Sequence, residues 1–311
     1  MRAATESIVL ALKNGTTLDI NEYQANSRVV MQNKTVQEKV LHTDTQKLIN
    51  QFLCKQKRVI SRKLDFKCSG WLSVFPKEDN HFELSPDEFR DSLAMRYGRT
   101  PTRMQSTCDA DGELFDVNHA LNCPRGGLVY GRHNEMRDLN CHLLELARLK
   151  QVTREPIVRY SDENGENGLR ADWGARGFWE PQQMALFDVC IFNPDSTSMA
   201  NQSLDTLFDQ KAKLKRSTYS NTAEQRRASF NPFIATCDAV LDNNAESYIK
   251  RLASHLSNKW NTSLPRVTGW LRARIQICIL RSVSLCLRGS RTKWRGAGLE
   301  DSAAIPNHIV D

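Results

Sequence analysis

The chain has 311 residues, 40% of them hydrophobic and 25% charged, with a net charge of +7. That length accommodates one large globular unit or two smaller ones, and the balance of apolar and charged residues excludes a wholly disordered or low-complexity chain. It also excludes a membrane span of the roughly 18 apolar residues such a helix needs, because the longest candidate, Ile275 to Leu287, is broken by Gln276, Arg281 and Ser284.

The first 67 residues are polar, and the short run Ile8 to Leu12 falls short of a secretory signal. In residues 35–53, Val36, Val40, Leu41, Leu48 and Phe52 fall near helical spacing, which predicts a helix. The basic run KQKRVISRK that follows reads as a solvated linker. Ser85-Pro86-Asp87-Glu88 is a helix start: serine caps, proline suits the first turn, and Glu88 lies three residues after the cap. That helix is expected to end at Gly98. The chain is irregular from Pro101 to Cys123, and a further helix is expected from Arg132 to about Lys150. Strands are expected over EPIVRY, LRADWGARG, MALFDVCIF and FNPFIATC. Helices are expected over Thr206–Tyr219, AESYIKRLASHLSNKW and VTGWLRARIQICILRSVSLCLRG. The third strand is almost wholly apolar and so is placed centrally. The nine cysteines are odd in number and scattered, as buried free thiols of a reducing compartment would be. From Arg266 to Arg295 the chain carries basic residues and no acid, a strip that either neutralises phosphates or forms a solvated helix face.

Two groups of residues carry chemistry. Asp188 sits inside the apolar strand ALFDVCIF, where an unpaired carboxylate would cost several kcal/mol. Neighbouring strands offer Asp172 and Glu155, so three carboxylates can converge on a Mg²⁺ or Mn²⁺ ion. The competing reading is a buried salt bridge of Asp188 or Asp172 with Arg170 or Arg176. Where common metal-dependent nucleases place a lysine two residues beyond the second acid, this chain has Cys190; the next helix offers Lys211, Lys213, Lys215 and Arg216 instead. The second group is Cys108, His119 and Cys123. His-x3-Cys suits half of a zinc knuckle, and a Cys-x2-Cys partner pair would put the fourth ligand at Asp111. Isolated cysteine and histidine as ordinary loop residues are the alternative.

These residues lie in strings that occur in a fixed order: CDADGELFDVNHALNCPRGGLVYGRHNEMRD, REPIV, LRADWGARGFW, MALFDVCIFNPD, KLKRSTYS, RRASFNPF, IKRLASHLSNKW and LCLRGSR. From about Gly70 to Trp294 the chain resembles the C-terminal restriction-like endonuclease region of non-LTR (LINE-type) retrotransposon polyproteins. The resemblance implies an α/β fold with a PD-(D/E)xK core, a mixed central sheet flanked by helices. It implies a helical N-terminal region over residues 1–100, a zinc-knuckle-like segment over 101–130, the nuclease over 131–295 and a tail over 296–311. It assigns Asp172 and Asp188 to the catalytic metal, with Glu155 and Glu135 as helpers. It assigns Lys215, anchored by Tyr219, to the transition-state charge, and Cys108, Asp111, His119 and Cys123 to Zn²⁺. Arg132, His133, Asn134, Arg137, Arg176 and Arg216 are the expected nucleic-acid contacts. The implied activity is nicking of target DNA to prime reverse transcription, in the nucleus, with the cytoplasm as the alternative location and element RNA and a reverse transcriptase acting in trans as further partners. The chain departs from the family pattern at Asp111, where a second cysteine is usual, and at Lys211-Ala212-Lys213-Leu214, where an acidic run is usual. It has no YADD-like or FADD-like polymerase signature. A catalytically inactive, nucleic-acid-binding remnant or domesticated fragment is the alternative reading.

Overall fold

The computed structural model describes residues 54–65, 68–161 and 168–292, with a few positions between 43 and 51. The chain divides into two compact units, residues 1–65 with 96–99, and residues 66–95 with 100–311. Most of the helix expected over residues 35–53 lies outside the described residues. In the first unit, the basic run forms helix α1 (Cys54–Asp65) rather than a linker. Its lysines, arginines and glutamine are good helix formers, and Val59 supplies a buried contact.

The second unit begins with a single helical turn at Gly70–Leu72 and helix α2 (Pro86–Arg96). The expected capping box is present, with Glu88 N donating to Ser85 Oγ at 3.3 Å and Ser85 N donating to Glu88 Oε2 at 2.7 Å. A short helix α3 (Val117–Asn122) precedes α4 (Leu128–Leu146). Helix α4 starts earlier than expected because Gly126 and Gly127 take left-handed backbone (φ 70° and 72°) and turn the chain directly into it. Any Cβ on Gly126 would lie 2.4 Å from Arg291 Cα, so only glycine fits there.

Strands β1 (Lys150–Arg154), β2 (Ile157–Arg159), β3 (Leu169–Arg170), β4 (Trp173–Arg176) and β5 (Met184–Phe192) follow. Helix α5 (Leu204–Gln225) crosses to β6 (Ala228–Thr236), and α6 (Asn243–Trp260) and α7 (Leu264–Arg288) close the unit. The main sheet has four strands in the order β1-β4-β5-β6, while β2 and β3 pair separately. Strands β1, β4 and β5 are antiparallel and β5–β6 is parallel, so the sheet is mixed and flanked by helices. The parallel step needs a long crossover, which α5 provides. Strand β5 is interior, as its apolar sequence predicts. Strand β6 carries Pro232 at the sheet edge, where a missing N–H is tolerated. Among the described residues no helix is long and apolar enough to cross a membrane.

Alternation along β5 divides its surroundings. Ala185, Phe187 and Val189 enter the main core with Leu144 of α4, Ile249 of α6 and Ile275 of α7. At its centre Trp173 stacks on Phe187 (5.5 Å between ring centroids) and meets Tyr248 and Phe233 edge-on. The other face turns to α5, where two smaller clusters form. Leu186 packs with Tyr219 and Ala223 in one, and Phe192 with Leu207, Phe208 and Ala212 in the other. Asp188 occupies the gap between them.

Most arginines of the basic strip of α7 and the residues just after it have partners within the fold, and Arg274 and Arg291 are buried. Arg272 pairs with Glu246 and Arg288 with Asp91. Arg281 donates to Glu83 O, Arg274 to Asn80 O, and Arg291 to Ala120 O. These arginines serve internal packing, because α7 is a core helix whose polar positions must find partners. Lys293 and Arg295 lie outside the described residues.

Candidate functional site

Trp173 of β4 pairs with Phe187 of β5, and Arg154 of β1 pairs with Trp173. One residue further the ladder continues, with Glu155 N donating to Asp172 O and Asp172 N donating to Phe187 O, both at 2.9 Å. Glu155 follows the last residue of β1 and Asp172 precedes the first of β4, while Asp188 lies within β5. Asp172 lies close enough to Asp188 for its charge to act on that carboxyl.

Beyond Asp172 the chain leaves β5 for the β2–β3 hairpin, with Ala171 N donating to Pro156 O at 3.1 Å. That departure would leave the Val189 N–H without a strand partner. Asp172 Oδ2 accepts it instead at 2.5 Å. His133 Nε2 of α4 lies 2.8 Å from Asp172 Oδ1, so both oxygens of this carboxylate are held in place.

Asp188 is 3% exposed and is met by the Lys215 ammonium, which α5 presents from the gap between its two apolar clusters. Burial and the neighbouring Asp172 charge push Asp188 above the ordinary carboxylate range, even against Lys215. The Lys215 ammonium is partly buried, a cost that its carboxylate neighbours outweigh, so its pKa is raised as well. One ammonium thus faces two carboxylates in a poorly solvated space, and the site lacks positive charge. A divalent cation has the charge and the oxygen-ligand preference to fit it. The Tyr219 hydroxyl donates to Arg170 O at 3.0 Å; burial and the Asp188 carboxylate raise its pKa well above that of a free phenol.

The remaining expected residues divide clearly. Arg137, one turn after His133 on α4, pairs with Glu155 and with Asp138. Glu155 takes left-handed backbone (φ 50°), and its carboxylate is 44% exposed and bound to that arginine. Glu135 is not brought to the carboxylates: it lines a groove of about 550 Å³ between α4 and α7, with His142, Arg274 and Arg281. Arg132 is 3% exposed, bonded inside the protein to Leu121 O and Ile191 O. Arg176 donates to Gln182 O and Gln151, Arg216 to Asn244 Oδ1, and the Asn134 side-chain oxygen is buried without a hydrogen bond. Neither Asp172 nor Asp188 is paired with Arg170 or Arg176 among the described residues. The stack of Tyr130 on His133 (6.2 Å, 10° between planes) was not anticipated, although their i, i+3 spacing on a helix is its signal.

The second cluster is assembled by a tight hairpin and a short helix. Thr107 bridges Leu114, Cys108 N donates to Glu113 O at 2.8 Å, and Gly112 (φ 75°) makes the turn that presents Cys108 and Asp111. Asp116 caps α3 through His119 N at 2.7 Å, which fixes His119 and Cys123 opposite the hairpin. One ligand atom from each of Cys108, Asp111, His119 and Cys123 lies within 4.8 Å of all the others, so the cluster can hold a metal ion. Its chemistry suits a cation. His119 Nε2 is buried without a hydrogen bond, and Cys123 Sγ is 3.6 Å from Asp111 Oδ2. Burial raises the Cys123 thiol, while hydrogen bonds from Cys108 and the Glu113 backbone, opposed by desolvation, hold Asp111 below its usual value. No protein-family model matches this chain, and a search of curated proteins returns no match.

Proposed function

We propose that this chain is a divalent-metal-dependent DNA-nicking endonuclease with a PD-(D/E)xK-like core, derived from a non-LTR retrotransposon polyprotein. The observation that carries this reading is the closeness of Asp172, just before β4, to Asp188 of β5, with Lys215 reaching Asp188 from the crossover helix. A Mg²⁺ or Mn²⁺ ion held by the two aspartates would supply an activated water and stabilise phosphoryl charge. The protein's own contribution is placement. Val189 N–H and His133 fix Asp172, and Lys215 stands ready to offset charge developing on the phosphate. Lys213 and Arg216 are exposed on the same helix and reach the DNA backbone. Cys108, Asp111, His119 and Cys123 hold a structural Zn²⁺. The substrate is chromosomal DNA, so the protein acts in the nucleus. Element RNA and a reverse transcriptase supplied in trans are its further partners.

The internal partners of Arg272, Arg274, Arg281, Arg288 and Arg291 disfavour a remnant that only binds nucleic acid, since they engage most of the expected basic strip within the fold. Purified chain should nick supercoiled plasmid with Mg²⁺ or Mn²⁺ and not with EDTA, and Asp188→Ala should be inactive. Nicking that survives Asp188→Ala, or no nicking with either metal, would overturn the proposal.

A further inference from the structure

We propose that Arg132 is a strut coupling the knuckle to the His133–Asp172 pair, so that metal loading of the knuckle fixes Asp172 and raises the affinity of the carboxylate site for its cation. The coupling rests on the metal-site reading above, and its test is arranged to separate the two.

The guanidinium of Arg132 is 3% exposed and bonded to three different parts of the fold. Nη1 donates to Leu121 O of α3 and to Cys237 Sγ after β6, both at 3.2 Å, and Nη2 donates to Ile191 O of β5 at 3.1 Å. Burial pushes the Cys237 thiol up to about 12, so it meets the guanidinium as a neutral group. No carboxylate pairs with Arg132 among the described residues. A buried cation without a counter-ion is tolerated only while its carbonyl acceptors stay in position.

One acceptor depends on the knuckle. Leu121 lies between His119 and Cys123, in the last turn of a six-residue helix whose terminal carbonyls lack helical partners. Another belongs to the carboxylate site, because Ile191 is three residues past Asp188 on β5. The next residue after Arg132 is His133, which holds Asp172. If the knuckle loosens, Leu121 O moves, the guanidinium must rearrange, and the turn of α4 bearing His133 moves with it. Arg291 is the contrasting case. It takes the adjacent Ala120 O but joins it to Cys286 O of α7 rather than to β5. Arg291 therefore anchors the knuckle without transmitting its state.

The test uses the full chain with isotopically labelled histidine, His133 being assigned by the signal lost in His133→Gln. In the wild type, adding one equivalent of Zn²⁺ to metal-free protein should shift the His133 ring resonances and tighten Mn²⁺ binding roughly 5- to 150-fold, the usual span of coupling between sites. Arg132→Gln should still take up Zn²⁺ but lose both responses. Should that variant fail to fold, Arg132→Lys keeps the charge without the planar fork and should weaken both responses. Arg291→Lys should lower zinc affinity and leave both intact. Zinc uptake that leaves His133 and Mn²⁺ binding unchanged in the wild type, or equal responses in the Arg132 variants, would overturn the coupling. A His133 response to zinc with no Mn²⁺ binding would support the strut and overturn the metal-site reading.

Discussion

Asp172, just before β4, lies close to Asp188 of β5, and each is held by a different helix: Asp172 by His133 of α4, Asp188 by Lys215 of α5. Two carboxylates whose one ammonium is paired with Asp188 leave a deficit of positive charge in a space with little water. The fold maintains this arrangement against an electrostatic cost, which is characteristic of a site that takes a cation.

Cation binding should therefore stabilise the fold. At a free Mn²⁺ concentration about 100 times its Kd, the wild type should gain about 2.7 kcal/mol, read as a rise in Tm. Asp188→Asn should show little or none of this rise. Thermal melts with and without Mn²⁺ measure the difference.

Lys215→Met should lower the nicking rate by about 10²- to 10³-fold, the usual effect of removing a group that stabilises transition-state charge. Its stability should also become pH-dependent in a particular direction. The Asp188 pKa is already raised in the fold and rises further without the ammonium. Stability linked to this group is then present below the unfolded aspartate pKa of about 3.9 and lost as pH rises through the folded value. Denaturant melts should find Lys215→Met closest to wild type near pH 4 and furthest below it at pH 7.

His133→Ala should weaken Mn²⁺ binding about 10- to 100-fold, as loss of an outer-shell partner commonly does. Titration calorimetry reads this directly. The unfolding transition should stay cooperative, because the His133 side chain is 31% exposed.

The knuckle should bind one Zn²⁺ per chain. Cys123→Ser should abolish binding and lower Tm, whereas Asp111→Cys should raise affinity, since structural sites favour thiolate over carboxylate. Competition with a chromogenic chelator distinguishes the variants.

The sheet and its flanking helices were legible because their signals are local. Strand β5 is marked by an apolar run, α2 by its capping box, and α6 and α7 by helical periodicity. Strand β1 was missed because KQVTR has only one half-buried residue and depends on pairing with β4. Lys215 could be selected from Lys211, Lys213 and Arg216 only through family resemblance, since nothing in the helix alone says which side chain faces Asp188. The basic strip misled in the opposite sense. A run of arginines without acids looks like a phosphate-binding face, but its partners (Glu246, Asp91, and the carbonyls of Asn80, Glu83 and Ala120) are distant in sequence. Arg132 and Glu135 show the same limit: a helix fixes spacing, and tertiary packing decides which face is buried.

Metal-directed cleavage of the polypeptide offers the most direct test of the carboxylate pair. With Fe²⁺ replacing Mg²⁺ and hydrogen peroxide and ascorbate present, hydroxyl radicals formed at the iron cut the backbone next to the bound ion. Cuts are expected beside both Asp172 and Asp188, suppressed by excess Mg²⁺ and absent in Asp188→Asn. Cuts at neither strand, or the same cuts in Asp188→Asn, would contradict a cation held jointly by the two aspartates.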